Sequence, residues 1–547
     1  MSDLHEYMLP IAQPLAKEYI SGNKEIIELL YGYYAGNKED WSKRARKLDE
    51  MEHLRANANQ LADVIMQYNQ SFLLTDEMIK NIEHIRKGAK VIIGGQQAGL
   101  WTGPLLVIHK AVSIIQAAKQ ASLQLGEEVV PVFWIAGEDH DWDEANHAYI
   151  ISAEQQLTRL TMSRDTQLKT SVSQTIISND QWQEAIAELD QALPSSEFKE
   201  GLLNKLTAYA QSSSSLTEMF TFILSDLFGQ YGLLFIDSDY EPLRKLEQPM
   251  FEKLLEHNHA LSDAYEKSAE KVKQLGFTPQ VEFQKESANL FVFNVQERMA
   301  RTLLYKSRDG YTDKKGYLNF SKQDIEGMLS TSPQLFSNNV LTRPLMQDYL
   351  FPVLGTVLGP GEIAYWALTK EAFTVLDMEM PIIVPRMFFT LVEGINAKNM
   401  NKYEFSFSDV MERFADKKAS WLSAQDELHI AERFEQAKDE FLQLYEPLVQ
   451  LAGSIQPGLL KLGETNMNKI IEQIQYFQNK TIDAQQKQFE AAIRQMDRIE
   501  LSLKPQGKPQ ERALSMISYW SRYNRSWLDE LFEAPYKLTG GHQIVNL

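Results

Sequence analysis

Five carboxylates and two histidines fall within eleven consecutive residues, Gly137-Glu-Asp-His-Asp-Trp-Asp-Glu-Ala-Asn-His147. Groups of these types move protons, orient one another and hold ammonium ions. Helix capping explains part of the density, with Asp141 as N-cap and Asp143 and Glu144 in a first turn that favours negative charge. Capping gives Asp139, His140 and His147 no task, so these three are the candidate catalytic residues. His140 and His147 are seven apart, a spacing that on one helix puts them on one face, two turns apart. Hard cations take carboxylates, but this spacing fixes no coordination set, and no metal site is predicted beyond a nucleotide-bound Mg.

Four other segments carry polar chemistry. Gly94-Gly-Gln-Gln-Ala-Gly-Leu-Trp-Thr-Gly-Pro104 is a glycine-rich turn between a strand and a helix, suited to offering backbone N–H groups to an anion. It is no Walker A loop, because Leu100 and Trp101 stand where Lys and Ser/Thr belong, and its glycines at 95, 99 and 103 do not form the dinucleotide fingerprint. Its alternative is a tightly packed strand–helix turn. Asn338-Asn-Val-Leu-Thr-Arg-Pro-Leu-Met-Gln-Asp-Tyr349 places Arg343, Gln347 and Asp348 before a buried run. There Arg343 either grips a carboxylate or phosphate in two-pronged fashion or pairs with Asp348 structurally. Gly359-Pro-Gly-Glu-Ile-Ala-Tyr-Trp366 opens a helix whose N–H groups suit an anion, with Glu362 suited to an amine. Lys504-Pro-Gln-Gly-Lys-Pro-Gln-Glu-Arg512 is a basic turn that either meets phosphate or is merely solvated.

The elements that must position these residues follow from periodicity. Residues 1–87 read as a helical region packing on the core, with 40–66 uninterrupted by Pro or Gly. Continuously apolar runs at 90–94, 129–136, 233–236 and 351–357, each followed by glycine or acid and then helix, predict a doubly wound parallel sheet. The core spans 88–400 with inserted segments, helical over about 150–230 and an antiparallel meander over about 278–322 with an Asp309-Gly310 turn. Residues 408–502 predict a coiled-coil hairpin. Its first arm carries Ile430, Phe434, Ala437, Phe441, Leu444, Leu448 and Leu451 in alternating steps of four and three, and its second carries Ile470, Ile474, Phe477, Thr481 and Ala484. Arms of about 45 residues reach on the order of 65 Å, predicting a projecting hairpin that pairs with a second copy. Residues 503–547 are expected to pack back on the body.

Composition bounds the function. The 547 residues carry 55 Lys and Arg against 74 Asp and Glu, a net charge of −19, which argues against nucleic acid and anionic membranes as partners. Cysteine is absent, excluding disulfides, thiolate metal sites and a cysteine nucleophile. There is no signal-peptide pattern, and the most apolar stretch, 349–368, is broken by Pro, Gly and Glu, so a soluble, cytoplasmic protein is expected.

The Gly-Gln-Gln-x-Gly-Leu-x-x-Gly-Pro turn, the Trp134-to-His147 stretch, the Arg343-Pro and Gln347-Asp-Tyr run, Gly-Pro-Gly-Glu-Ile-Ala-Tyr and the terminal Pro-x-Gly-Lys-x-Gln-Glu-Arg occur in order along the chain. Together they resemble the bacillithiol biosynthesis cysteine-adding enzyme family over the whole length. The resemblance implies a ligase that joins L-cysteine to the sugar amine of glucosaminyl-malate, the last step of bacillithiol synthesis. It also implies a Rossmann-like core similar to class I aminoacyl-tRNA synthetases, a coiled-coil domain that makes homodimers, and use of ATP or another adenine nucleotide. Combined with the motifs above, this makes Gln96, Gln97, Arg343, Gln347, Asp348, Glu362 and Tyr365 the candidate substrate-binding residues, and Gly95, Gly99, Lys504, Lys508 and Arg512 the candidate nucleotide-binding residues. The chain departs from the synthetases in lacking His-x-Gly-His and Lys-Met-Ser-Lys-Ser, so an adenylate route is not implied. Two other readings remain: a nucleotidyl transferase or metal-dependent hydrolase on the same crevice, and a non-enzymatic assembly protein whose function is the coiled coil.

Overall fold

Among the described residues, twelve strands lie between residues 90 and 385. In chain order they are β1 (Lys90–Gln96), β2 (Val129–Ile135), β3 (His147–Ile151), β4 (Leu157–Thr161), β5 (Leu234–Asp237) and β6 (Ser287–Asn294). They continue as β7 (Ala300–Lys306), β8 (Gly310–Thr312), β9 (Asn319–Ser321), β10 (Phe336–Asn338), β11 (Val353–Leu358) and β12 (Ile382–Pro385). The computed structural model describes residues 7–164, 169–281, 284–294, 299–425 and 429–547. It divides into two units, one of residues up to Leu391 together with Lys508–Val545, the other of Val392–Gly507.

The first unit is built on a five-stranded sheet in the order β12–β11–β1–β2–β5, with every neighbour parallel. Strands covered on both faces have no solvent side to mark with polar residues, and β2 is buried at every position. The chain starts at the central β1, winds outward through β2 and β5, then returns to fill β11 and β12 on the other side. The winding direction reverses between β1 and β11, which opens a crevice at their carboxyl ends.

Two inserted regions differ from their expected form. The segment from about 150 begins as an antiparallel hairpin, β3 with β4, before helices Asn179–Ala192, Lys199–Ala210 and Leu216–Phe228. Five-residue strands are too short for periodicity to separate from helix. The meander is a five-stranded antiparallel sheet in the order β10–β6–β7–β8–β9, so the later β10 joins as an edge strand. The run 40–66 is also not one helix. Lys38–Glu50 ends at a 3-10 turn, and Asn57 caps the next helix, Ala58–Asn69, by accepting from the N–H groups of Asn59 and Gln60. The cap residue was the overlooked signal.

Residues after Lys508 rejoin the first unit. Leu105 N–H donates to the Leu514 carbonyl and Ser515 N–H to the Tyr149 carbonyl, both at 2.8 Å. Among the described residues no helix is long and apolar enough to cross a membrane.

In the second unit, Ile430–Ile455 and Pro457–Gln488 form the two arms of a helical hairpin, with the break at Gln456. The expected seam holds only at its start, where Ile430 is buried and Phe434 meets Phe477 edge-on with ring centroids 5.5 Å apart. Farther along, Leu444, Leu448 and Leu451 are 70%, 53% and 60% exposed, while Lys438 and Val449 are buried. A Cβ on Gly463 would come within 3.0 Å of the Val449 side chain, and one on Gly453 within 2.9 Å of Leu460, so glycines let the arms close on this face.

Candidate functional site

A cleft of about 660 Å³ lies at the crevice, lined by the ends of β1 and β2, the turn after β11, the meander strands β6 and β7, and residues 338–343. It takes in Gly95, Gln96, Gln97, Asp139, His140, Arg343, Glu362, Tyr365 and Arg512 from the sequence reading.

Packing forces the two glycines at the end of β1. A Cβ on Gly95 would lie 2.4 Å from the Trp134 carbonyl oxygen, and one on Gly94 would meet Ile114 at 2.8 Å. The strand therefore passes close to its neighbours, and its carbonyl edge faces Lys110, four residues into helix Leu106–Leu125. The Lys110 ammonium is buried and donates to the Gly95 carbonyl at 2.7 Å, Gln96 Oε1 at 3.1 Å and Glu362 Oε2 at 2.6 Å. Burial lowers the Lys110 pKa, opposed by Glu362. Burial raises the Glu362 carboxyl, but Lys110 and the Gly359 N–H outweigh it and hold the group below its ordinary value. Glu362 reaches back to accept from the N–H of Gly359, the N-cap of helix Pro360–Trp366, at 2.8 Å, so the start of that helix presents a carboxylate instead of the expected anion site.

On the acidic side, Gln97 Nε2 donates to the Asp141 carbonyl at 3.1 Å, tying the glycine turn to the acid-rich turn. Asp139 Oδ1 accepts from the His140 N–H at 2.7 Å and lies 3.6 Å from His140 Nδ1. Burial first, then the positive charge of Arg301, lowers the His140 pKa, leaving a neutral imidazole at pH 7. Arg301 crosses from β7, 3.9 Å from Asp139, stacking over Phe291 at 4.1 Å and donating to Ser337 Oγ and the Asn338 carbonyl. Asp141 caps helix Trp142–Ala145, as capping alone would have it. Glu144 also lines the cleft, its pKa raised by burial and by Asp141 and Asp139.

Arg343 begins helix Arg343–Leu350 and donates to the Tyr365 hydroxyl. Burial pushes the Tyr365 pKa up to about 12. Below the cleft, buried Arg244 pairs with Glu138, with Glu247 at 2.7 Å and with Asp239 at 3.6 Å. Burial, aided by Asp239, raises Asp237 to about 7.

Several expected site residues lie elsewhere. Asp348 is fully buried and pairs with Arg44 at 2.6 Å and Arg55 at 3.4 Å, so it serves the fold and does not pair with Arg343. Gln347 is buried beside it and does not line the cleft. His147 shares no helix with His140, because the helix between them is one turn long and His147 opens β3, where its Nδ1 meets the Asp143 carbonyl at 2.9 Å. Gly99 lies against Gly103 and does not reach the cleft. Of the basic turn only Arg512 lines the cleft; Lys508 does not, and Lys504 ends a helix of the second unit.

Sequence reasoning missed Lys110, Asn289, Arg301 and Arg386. A lysine set between the apolar runs 105–108 and 111–112 was the available signal for Lys110. Arg386 is held in two-pronged fashion by Glu511 at 2.6 and 2.7 Å, and Glu511 also meets His109 Nδ1 at 2.7 Å. Only the fold brings these three together.

Comparison with known proteins completes the description. Residues 3–387 match the family described as bacillithiol biosynthesis BshC, N-terminal Rossmann-like domain, and residues 389–547 match bacillithiol biosynthesis BshC, C-terminal coiled-coil domain. Relatives named "Putative cysteine ligase BshC" include those of Bacillus cereus (strain AH187), 32% identical, and Bacillus cytotoxicus, 31% identical. Each alignment covers 100% of both chains.

Proposed function

Because the chain belongs to the bacillithiol biosynthesis BshC family, we propose that it is a cysteine ligase that joins the carboxyl of L-cysteine to the amine of glucosaminyl-malate in the last step of bacillithiol synthesis. The observation that carries this reading is one cleft in which Arg343 stands at one part and Asp139 with a neutral His140 at another. An arginine suits a malate carboxylate. Asp139 suits an ammonium group, and the neutral imidazole is ready to take the proton that an attacking amine must lose.

Forming an amide from a free carboxylate needs activation, and ATP is the proposed co-substrate. The crevice beside β1 does not fit its triphosphate. Lys110 is committed to Glu362, Arg386 is committed to Glu511, and Glu362 places negative charge at the adjoining helix start. Packing accounts for Gly95 and Gly99.

The hairpin is the proposed homodimer contact, through the leucines its own arms leave exposed, and the cytoplasm is the proposed location. The test is incubation of the protein with glucosaminyl-malate, cysteine and ATP, followed by mass spectrometry of thiol and nucleotide products. The ligated thiol together with AMP or ADP is the expected result. Folded protein that yields no ligated thiol with any nucleotide defeats the reading.

A further inference from the structure

The meander side of the cleft holds polar atoms that the protein itself leaves unsatisfied. Asn338, at the end of β10, lines the cleft and is 1% exposed, yet neither its amide nitrogen nor its amide oxygen has a hydrogen-bond partner. Among the described residues it is the one side chain with two such buried atoms. An amide closed off from bulk water and unpaired at both ends is costly, and native proteins rarely keep one without a use.

A second observation comes from the neighbouring strand. Asn289 in β6 also lines the cleft, with a backbone φ of +56° where the β6–β7 register shifts. Left-handed backbone is uncommon inside a strand even for asparagine, which tolerates it better than most residues, and such conformations collect at functional sites. The conformation is firmly held: Asn289 N–H donates to Ser287 Oγ at 3.0 Å, and its carbonyl accepts from Thr342 Oγ1 at 2.9 Å. Its amide oxygen accepts from Asn339 Nδ2 at 3.0 Å, and its amide nitrogen is unpartnered. Whichever way that amide is assigned, one of its atoms stays unpaired.

We infer that Asn289 and Asn338 form a hydroxyl-recognition subsite, taking the sugar hydroxyls of a glycoside while Arg343 takes its carboxylate. A carboxylate only accepts hydrogen bonds, so it would satisfy the Asn338 nitrogen and leave the oxygen facing its lone pairs. An ammonium group only donates and fails at the nitrogen. A hydroxyl donates and accepts, and neighbouring hydroxyls on a pyranose ring meet both ends of one amide. Arg301 fixes this wall by bonding the Asn338 carbonyl and Ser337 Oγ while stacking on Phe291. The identity of the glycoside rests on the ligase reading; the hydroxyl preference does not.

Calorimetry with the full chain tests the subsite, using glucosaminyl-malate and malate alone as probes. Asn338→Leu, which keeps the volume and removes both polar atoms, should weaken glucosaminyl-malate by roughly 10- to 100-fold, the scale of one or two lost hydrogen bonds. Malate affinity and the KM for cysteine should stay within about twofold. Asn289→Gly, which tolerates the positive φ, should weaken glucosaminyl-malate by about 10-fold and serves if the leucine variant fails to fold. Equal weakening of malate would make this a carboxylate site, and unchanged affinity for both probes would mean that water alone meets these atoms; either overturns the inference. Wild-type protein that binds glucosaminyl-malate but makes no product removes the ligase reading and leaves the subsite standing. Product formation with an unchanged KM in both variants removes the subsite alone.

Discussion

The parallel sheet and the helical hairpin treat their apolar residues in opposite ways. In the sheet, Val91, Ile92, Ile93, Val132 and Phe133 are 0% exposed. In the hairpin, Leu444, Leu451, Ile455 and Leu462 are each at least 60% exposed, although the arms already pack on each other. One region finishes its hydrophobic burial within a single chain; the other leaves a stripe of large side chains in water. Exposed apolar surface of that kind marks an interaction site. Burial in the first region is thus complete within the chain, and in the second it is not.

The largest expected effect tests the self-sufficiency of the first region. Asp348→Asn leaves the buried Arg44 and Arg55 without their counter-charge, and removing one partner of a buried pair costs about 3–5 kcal/mol. Denaturant midpoints should show a loss of that size in the sheet unit; a loss under 1 kcal/mol would mean the arginines find other partners. Next in size, His140→Ala and Asp139→Asn should each lower ligation by about 100-fold, with melting and self-association unchanged. Near-normal turnover would return both residues to a capping role.

Two neighbouring residues of the hairpin make the third test. Leu448 is exposed and Val449 is buried against Gly463. Leu448→Glu should keep the helicity and the ligation rate per chain while weakening self-association by on the order of 10-fold or more. Val449→Glu should instead lower helicity, because it buries a charge between the arms. Sedimentation and circular dichroism separate the two, and an unaltered oligomer in both variants would move the contact off the hairpin.

A fourth test concerns pH. Asp237 titrates near 7 in the fold, against about 4 when unfolded. Between those values the native state holds the extra proton, so this group's contribution to stability falls as pH rises from about 4 to 7. Asp237→Asn should flatten that decline, gaining on wild type at pH 8 compared with pH 5. Parallel stability profiles for the two proteins would contradict the assignment.

The sheet was legible because fully buried parallel strands must be continuously apolar, a pattern that survives without knowledge of their neighbours. The acid-rich turn and Arg343 were legible because their residue types are chemically unusual for their setting. Asp348 misled for a physical reason: its partners, Arg44 and Arg55, come from a helix and turn about 300 residues away in sequence, and nothing local reveals that pairing. His147 misled because a four-residue helix leaves no periodicity to read. The coiled coil was legible, but its seam was misplaced along most of the first arm, because Gly453 and Gly463 admit Leu460 and Val449 between the arms while Leu444, Leu448 and Leu451 stay exposed. Asn289 and Asn338 gave no signal, since an unpaired amide is a property of surroundings, not of sequence.

The return of residues 508–545 to the first unit also has a consequence for synthesis. Arg512 lines the cleft, Glu511 neutralises Arg386, and Ser515 bonds the Tyr149 carbonyl. All three positions follow the hairpin in the order of translation. A nascent chain can assemble its five parallel strands well before they emerge, but it carries Arg386 and His109 uncompensated until the ribosome has delivered more than a hundred further residues. The crevice is thus among the last parts to mature, and a chain stalled within the hairpin is left with an unfinished cleft.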